Sequence, residues 1–363
     1  MKRKTIVFIV PSLKAGGAER VVSTLANQLV VTYNVIIVVL YRCIPFYFLN
    51  ERIKVVFCQD IYNESPTFFE SINNHYYLIK SCKNVIKNYQ ADVIIGFTTI
   101  ANIYSIILSK ILKIPAIISE RIHPKYGSIS KFWKIVRRLT YPTVNALVIQ
   151  TNDIKSYFKK YINPSKLFII NNPISVELSG LRDLNATRED RIICVGRLEA
   201  QKNQELLIRA FSKIPSNSWE LILIGDGKLK TKYINLAKSL NVSNIVFLGS
   251  IKNISHYYNT SKIFVLPSNY EGFPNALIEA MYFGVACIAT DCPSGPSDII
   301  INNKNGFLIP TNDQNALKNK LEKLINTPNL QEQFGEESLK SSTLFETKPI
   351  VQKWEKLIDF VCS

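Results

Sequence analysis

Short runs of consecutive apolar residues alternate along this chain with longer stretches whose apolar positions recur every three or four residues. Thr5–Val10 is such a run, and residues 35–41, 55–57, 92–97, 116–119 and 146–150 repeat it. A strand apolar at successive positions is buried on both faces, as in a parallel sheet covered by helices on each side. A helical pattern over 18–30 follows the first run after a glycine loop, another begins at Thr151-Asn152-Asp153-Ile154, and a short run at 167–170 closes this half. After Asn171-Asn172-Pro173 the pattern restarts, with predicted strands at 191–195, 220–224, 245–248, 263–266 and 285–289. Predicted helices over 203–213, 229–240, 254–259 and 275–283 separate them. Strand and helix alternating twice over predict an α/β chain of two Rossmann-like, doubly wound domains. The expected domains are 1–175 and 176–343, with the polar stretch 177–190 as linker and a final helix over 344–363 that packs back toward the first domain.

Composition narrows the class. Of 363 residues, 47% are hydrophobic and 20% charged, which is globular rather than disordered. Seven scattered cysteines without a C-x-x-C pair predict reduced thiols, a cytoplasmic setting and no structural zinc. No apolar stretch is long enough to span a bilayer. The start, Met1-Lys2-Arg3-Lys4 before the first apolar run, has the outline of a signal peptide, but the run is short and ends in Pro11-Ser12-Leu13-Lys14, so it reads as a buried first strand. The net charge of +16 is uneven. Residues 1–175 hold 23 Lys and Arg against 8 Asp and Glu, and the remainder 21 against 20. A basic half joined to a neutral one suggests that one domain meets an anionic surface or ligand.

In doubly wound sheets ligands collect at the carboxyl ends of the strands. The first strand runs into Gly16-Gly17-Ala18-Glu19-Arg20, either a phosphate turn at a helix N-terminus or an ordinary strand-to-helix turn. It lacks both the dinucleotide G-x-G-x-x-G pattern and the P-loop ending. The segment from Gly196 to Asn203 delivers Arg197 and Lys202 just before a helix, two cations suited to a diphosphate. Gly225-Asp226-Gly227 ends the next strand, as a turn that either lines the cleft or only reverses the chain, and Gly249-Ser250 ends the one after, where exposed backbone is able to read a nucleobase edge. Most distinctive is Glu271-Gly272-Phe273-Pro274-Asn275-Ala276-Leu277-Ile278-Glu279. Pro274 disfavours helical geometry at Phe273 and suits a first turn, so Glu271 is expected in a loop, a helix near Pro274 or Asn275, and Glu279 on its inner face. The paired carboxylates alone also fit a glycosidase acid and nucleophile.

Taken in order, these segments resemble the retaining nucleotide-sugar glycosyltransferases of family 4, bacterial enzymes of O-antigen and glycan assembly with the GT-B fold. Asp291-Cys292-Pro293-Ser294-Gly295-Pro296 and Asn305-Gly306-Phe307-Leu308-Ile309 fall where that family has similar loops. The resemblance implies two Rossmann-like domains facing a central cleft and a catalytic set of Glu271, Arg197 and Lys202. It further implies that Arg197 and Lys202 clamp the donor diphosphate, that Gly16 or Gly17 approaches it or the acceptor, and that Glu271 and the backbone of Gly272, Phe273, Pro274 and Asn275 meet the donor sugar and phosphate. Glu279 is expected to take the ribose hydroxyls. These roles displace the glycosidase reading. The chain contains no D-x-D, which fits transfer without a metal or other cofactor.

Many members of the family carry a histidine in a loop after a first-domain strand; here that region reads Ser119-Glu120-Arg121-Ile122-His123-Pro124. Glu120 and Arg121 are candidates for acceptor or donor-sugar contact. The resemblance implies a hexose or N-acetylhexosamine, UDP-linked, passed to a saccharide on a polyprenyl diphosphate. Such an acceptor would set the basic first domain against an anionic membrane, on the inner face of the cell membrane. Ser130–Leu139 mixes cations with bulky apolar residues as an interfacial helix does, and Ile44–Leu49 is an apolar loop able to dip beside it. A sugar-nucleotide epimerase of similar fold is the alternative. A basic nucleic-acid-binding protein is disfavoured, since no helix-turn-helix, RNP or zinc pattern occurs.

Overall fold

The computed structural model describes residues 3–60, 67–127, 129–215 and 218–363, with Phe68 by its backbone alone; Met1 and Lys2 of the signal-like start lie outside them. The chain divides into two compact units, Met1–Ser175 with Thr347–Ser363, and Val176–Glu346. Each is built on one parallel sheet. The first sheet contains β1 (Thr5–Val10), β2 (Asn34–Tyr41), β3 (Lys54–Gln59), β4 (Val93–Phe97), β5 (Ala116–Ser119), β6 (Ala146–Ile149) and β7 (Leu167–Ile169), in the order β3-β2-β1-β4-β5-β6-β7. The second contains β8 (Glu189–Val195), β9 (Glu220–Ile224), β10 (Ile245–Gly249), β11 (Ser261–Leu266), β12 (Ala286–Thr290) and β13 (Phe307–Ile309), ordered β10-β9-β8-β11-β12-β13. In each sheet the winding direction reverses beside the first strand, between β1 and β4 and between β8 and β11.

The continuous apolar runs follow from this layering. Successive side chains of a strand point to opposite faces. Ile6, Phe8 and Val10 enter one core with the helices Gly17–Leu29 and Thr347–Cys362, while Val7 and Ile9 enter the other with Phe68–Asn88 and Thr99–Leu112. The second sheet sorts Ile192 and Cys194, with Leu221 and Leu223, onto the helices Gln204–Phe211, Lys230–Ser239 and Gln314–Ile325. The returning helix Thr347–Cys362 sits deep in the first unit. Trp354 is fully buried and stacks on Phe97 at the end of β4, with ring centroids 5.8 Å apart.

Two segments differ from expectation. Residues 177–190 are not a free linker: the Arg182 guanidinium lies 4.2 Å over the Tyr282 ring, and Arg188 donates to the carbonyls of Ser261 and Phe283, both at 2.6 Å. Capture of two backbone carbonyls by one half-buried guanidinium fastens this stretch to the second unit. Within Asn305–Ile309, taken as a loop, residues 307–309 form β13 alongside β12. No helix among the described residues is long and apolar enough to cross a membrane.

Because Trp354 closes a core built from residues far away in sequence, Trp354→Ala is expected to destabilise the first unit by about 3–5 kcal/mol. Hydrogen exchange at the β1 and β4 amides measures this; unchanged protection there would refute the role.

Candidate functional site

At the reversal point of the second sheet, the loops after β8 and β11 lie side by side. The β8 loop is held down by glycine. A Cβ on Gly225, at φ +135°, would fall 2.1 Å from the Gly196 carbonyl oxygen, so the ends of β8 and β9 approach only because that side chain is absent. The Gly196 amide donates to Ile224 O and the Leu198 amide to Asp226 O, each at 2.9 Å. Asn203, in the left-handed region at φ +48°, donates from its side chain to Asn269 Oδ1 and Asn312 Oδ1. Gln201 Nε2 donates to Tyr270 O at 3.0 Å, and the Asn269 amide donates back to Gln201 O at 2.8 Å. The two loops are thus sewn together by backbone and amide groups.

Across this seam lies an ion pair. Lys202 Nζ is 2.6 Å from Glu271 Oε1, which also accepts from Ser268 Oγ at 2.6 Å. Both charged side chains are largely shielded from water. Arg197 differs: its side chain is 67% exposed, with only long contacts to Glu199 and Gln201. The turn after Glu271 is supported from β12. Thr290 Oγ1 donates to Ser268 O, Ser294 Oγ donates to Gly272 O, and Gly295 packs where a Cβ would meet Pro274 Cδ at 2.6 Å. Phe273 is buried against Phe345. The helix runs Asn275–Tyr282 with Pro274 at its N-cap. Glu279 is buried on it and accepts from Tyr258 OH at 3.1 Å. Gly249, at φ +71°, ends β10, and its carbonyl accepts the Gly225 amide at 2.8 Å; Ser250 beyond it is exposed.

In the first unit, Gly16 precedes the helix Gly17–Leu29 with extended backbone, and its carbonyl accepts from Arg20 N and from Tyr47 OH. A Cβ there would fall 2.1 Å from Glu19 Oε2, so the residue leaves room for the Glu19 carboxylate over the helix start. Glu120 and Arg121 follow β5, and both are buried. Glu120 accepts from Tyr141 OH at 2.7 Å and from Thr99 Oγ1 at 3.0 Å, yet burial still raises its pKa. Arg121 lies 4.4 Å over the Phe97 ring and donates to Asn172 Oδ1; its Nε and Nη2 are buried without a protein partner. Burial pulls Arg121 down to about 9, so it stays charged at neutral pH. His123 Nδ1 accepts the Lys125 amide, and Nε2 lies 3.2 Å from Asp153 Oδ2. With both nitrogens engaged, His123 fixes its loop.

The second unit therefore joins Arg197, Lys202 and Glu271 at one sheet edge, with Glu279 on the helix that follows. Sequence reasoning missed Ser268, Gln201, Asn269 and Tyr258. Ser268 stands three residues before Glu271, a local hint, but Tyr258 reaches Glu279 from a separate helix and leaves no spacing signal. Among the described residues no group of three or more His, Cys, Asp or Glu is placed to hold a metal ion.

Comparisons with known proteins agree with this architecture. A profile described as "Glycosyltransferase Family 4" matches residues 15–178, and one described as "Glycosyl transferases group 1" matches 182–341. The chain is 31% identical, over 97% of its own length and 98% of the relative's, to a Campylobacter jejuni protein named GalNAc-alpha-(1->4)-GalNAc-alpha-(1->3)-diNAcBac-PP-undecaprenol alpha-1,4-N-acetyl-D-galactosaminyltransferase. Its fold matches sucrose-phosphate synthase from Thermosynechococcus elongatus, with TM-score 0.84, 19% identity and coverage of 99% of this chain and 100% of that one. It also matches Anabaena HepE in complex with UDP, with TM-score 0.81, 18% identity and coverage of 98% and 99%.

Two outcomes test the local geometry. Lys202→Met leaves the Glu271 carboxylate buried without its cation and is expected to cost about 3–5 kcal/mol, while Lys202→Met with Glu271→Leu regains most of that. Urea midpoints of the second unit decide, and a single variant as stable as the parent would show that the pair does not hold the loops. Burial raises the folded pKa of Glu120 above its unfolded value, so ionising it costs stability as pH climbs through the folded pKa. Glu120→Gln should therefore gain on the parent as pH is raised from about 4 toward 8. A pH-independent difference in unfolding midpoint would contradict this.

Proposed function

The chain belongs to family 4 of the glycosyltransferases, with the GT-B fold, and from that premise we propose the reaction it catalyses. It moves a hexose or N-acetylhexosamine from a nucleotide-diphosphate sugar, UDP-linked, to a saccharide carried on a polyprenyl diphosphate. The product belongs to surface polysaccharide or glycan assembly. The observation that carries the reading is the seam at the β8–β11 reversal, where Lys202 is paired with a buried carboxylate and Arg197 stands exposed in the same loop, at a strand edge suited to a diphosphate. The relative's name specifies an undecaprenol-diphosphate saccharide and an N-acetylgalactosaminyl transfer, which supports the acceptor class. HepE, solved with UDP, supports the nucleotide.

In this mechanism Arg197 is the mobile half of the diphosphate clamp and Lys202 the fixed half. Glu271 holds one of the three ammonium hydrogens of Lys202 and aims the others. Both cations stabilise charge as the bond from sugar C1 to the diphosphate oxygen breaks, and they stand in for a metal ion. The acceptor hydroxyl oxygen bonds to C1 on the face the diphosphate leaves, and its proton passes to a diphosphate oxygen, so configuration is retained. Glu279, preorganised by Tyr258, takes the ribose hydroxyls. The backbone from Gly272 to Asn275 faces the donor sugar and phosphate, and Gly249 and Ser250 face the base. Gly16 and Gly17, with Glu120 and Arg121, serve the acceptor side.

A membrane setting fits the surface of the first unit. On the helix Lys131–Thr140, Phe132, Ile135 and Leu139 form an exposed apolar stripe flanked by exposed Lys131, Lys134 and Arg138. Beside it a concavity of about 290 Å³ is lined by Lys125, Lys134, Arg137, Arg138, Tyr157 and Tyr161. Apolar insertion next to clustered cations suits an anionic bilayer. We place the enzyme peripherally on the inner face of the cell membrane.

A donor panel tests the reaction, with release of nucleotide diphosphate followed in the presence of a polyprenyl-diphosphate saccharide, with and without EDTA. UDP release that survives EDTA is expected; its loss would sink the metal-independent clamp. Because the Arg197 side chain is mostly exposed, Arg197→Ala should leave folding intact and lower kcat far more than it raises the donor KM. Unchanged turnover in that variant would remove Arg197 from the mechanism.

A further inference from the structure

At the carboxyl edge of β1 and β2, the first unit holds a cavity of about 500 Å³. Its walls include Lys14, Arg42, Asn74, His75, Tyr104 and Trp133. It spans the reversal point of the first sheet, since Lys14 follows β1 and Tyr104 lies on the helix that follows β4. Asn74 Nδ2 donates to Tyr41 OH at 2.9 Å, but Asn74 Oδ1 is buried with no partner in the protein. A buried acceptor left unpaired is costly, and a ligand hydroxyl or acetamido N–H entering the cavity would satisfy it. His75 Nδ1 is bonded to Tyr104 OH, and the His75 ring meets Trp133 edge-on at 4.9 Å, so Trp133 is held in place. An indole supplies an apolar face for one side of a pyranose. Lys14 and Arg42 add two cations, Arg42 shared with Asp60.

The neighbours of these lining residues include several large apolar side chains exposed to solvent. Beside Cys43, Ile44 is 91% exposed; Phe46 and Phe48 also face solvent, while Tyr47 between them turns inward to Gly16. On the helix that carries Asn74 and His75, Phe69, Ile72 and Tyr76 are exposed, and Phe132 next to Trp133 is exposed too. Three separate segments thus turn polar or aromatic groups into one cavity and bare apolar groups outward beside it. A pocket for a free sugar needs no such apolar surround, and a site for a simple lipid needs no orphan amide oxygen.

Resting on the transferase reading above, we propose that this cavity binds the head of the lipid-linked acceptor. The sugar stacks on Trp133 and donates to Asn74 Oδ1, the diphosphate lies against Lys14 and Arg42, and the lipid leaves across Ile44, Phe46, Phe69, Ile72 and Phe132. Asn74 and Trp133 are then the residues that select the acceptor sugar.

The test titrates the full chain with an undecaprenyl-diphosphate-linked N-acetylhexosamine disaccharide in zwitterionic micelles, with the free disaccharide and undecaprenyl phosphate as separate arms and UDP as control. The linked disaccharide is expected to bind at least about ten-fold more tightly than either part. Asn74→Leu and Trp133→Phe should each weaken it about ten-fold while UDP binding stays unchanged. Circular dichroism checks folding, and Asn74, only partly buried, keeps the test open if the Trp133 variant is unstable. Parent-like binding by both variants overturns the cavity assignment, and equal binding of the free disaccharide overturns the lipid path. Turnover with a soluble acceptor but no binding of the linked one overturns the proposal and leaves the transferase reading standing. No UDP release from any donor, with linked-disaccharide binding intact, overturns that reading instead.

Discussion

An ammonium and a carboxylate taken out of water together attract strongly, but only good geometry and further hydrogen bonds offset what each loses in hydration. Lys202 and Glu271 meet that condition, with Ser268 donating to the same carboxylate oxygen. Much else in the second unit serves to keep them there. Gly225 lets the β8 and β9 ends close up, Gln201 accepts from the Asn269 amide and donates to Tyr270 O across the seam, and Ser294 and Gly295 brace the turn behind Glu271. The rigidity is local and asymmetric. Lys202 is fixed before any ligand arrives, whereas Arg197 stands in solvent and loses its freedom only when something holds it.

The first unit handles buried charge differently. Glu120 and Arg121 are adjacent in sequence and both buried, and although the charge of Glu120 acts on Arg121, their side chains bond to different groups: Glu120 to Tyr141 and Thr99, Arg121 to Asn172 and the face of Phe97. Neither the Arg137 charge nor the hydroxyls around Glu120 cancel its desolvation, and Arg121 keeps two guanidinium nitrogens without a protein partner. Phe97 touches both Arg121 and Trp354, so the polar edge of this sheet is continuous with its deepest packing.

The strands were legible because a doubly covered parallel strand has no polar face, and runs such as Thr5–Val10 and Glu220–Ile224 can hardly be anything else. Pro274 marked the start of its helix for a local steric reason, and the helix begins one residue later. The helix Phe68–Asn88 was missed although Thr67 and Glu70 form a capping box, because its exposed face carries Phe69, Ile72 and Tyr76 and blurs the amphipathic period. β13 was missed because three residues beside a glycine carry too little pattern. Arg182 and Arg188 looked like linker charges, since nothing local reveals that Tyr282 and Phe283 receive them. The pairing of Lys202 with Glu271 was equally invisible, being a contact between residues far apart in the chain.

The helix Thr347–Cys362 belongs to the unit that begins the chain, so the whole of 176–346 is inserted between two parts of one core. During synthesis the order of completion is therefore inverted. The second unit is contiguous and can close as soon as its own residues leave the ribosome, while β1 and the helix Gly17–Leu29 wait with an open apolar face until Ile350, Trp354 and Ile358 arrive. β1 and the helix Gly17–Leu29 are thus made well before the helix that covers them, and their shared apolar face closes only after the whole of the second unit has been synthesised.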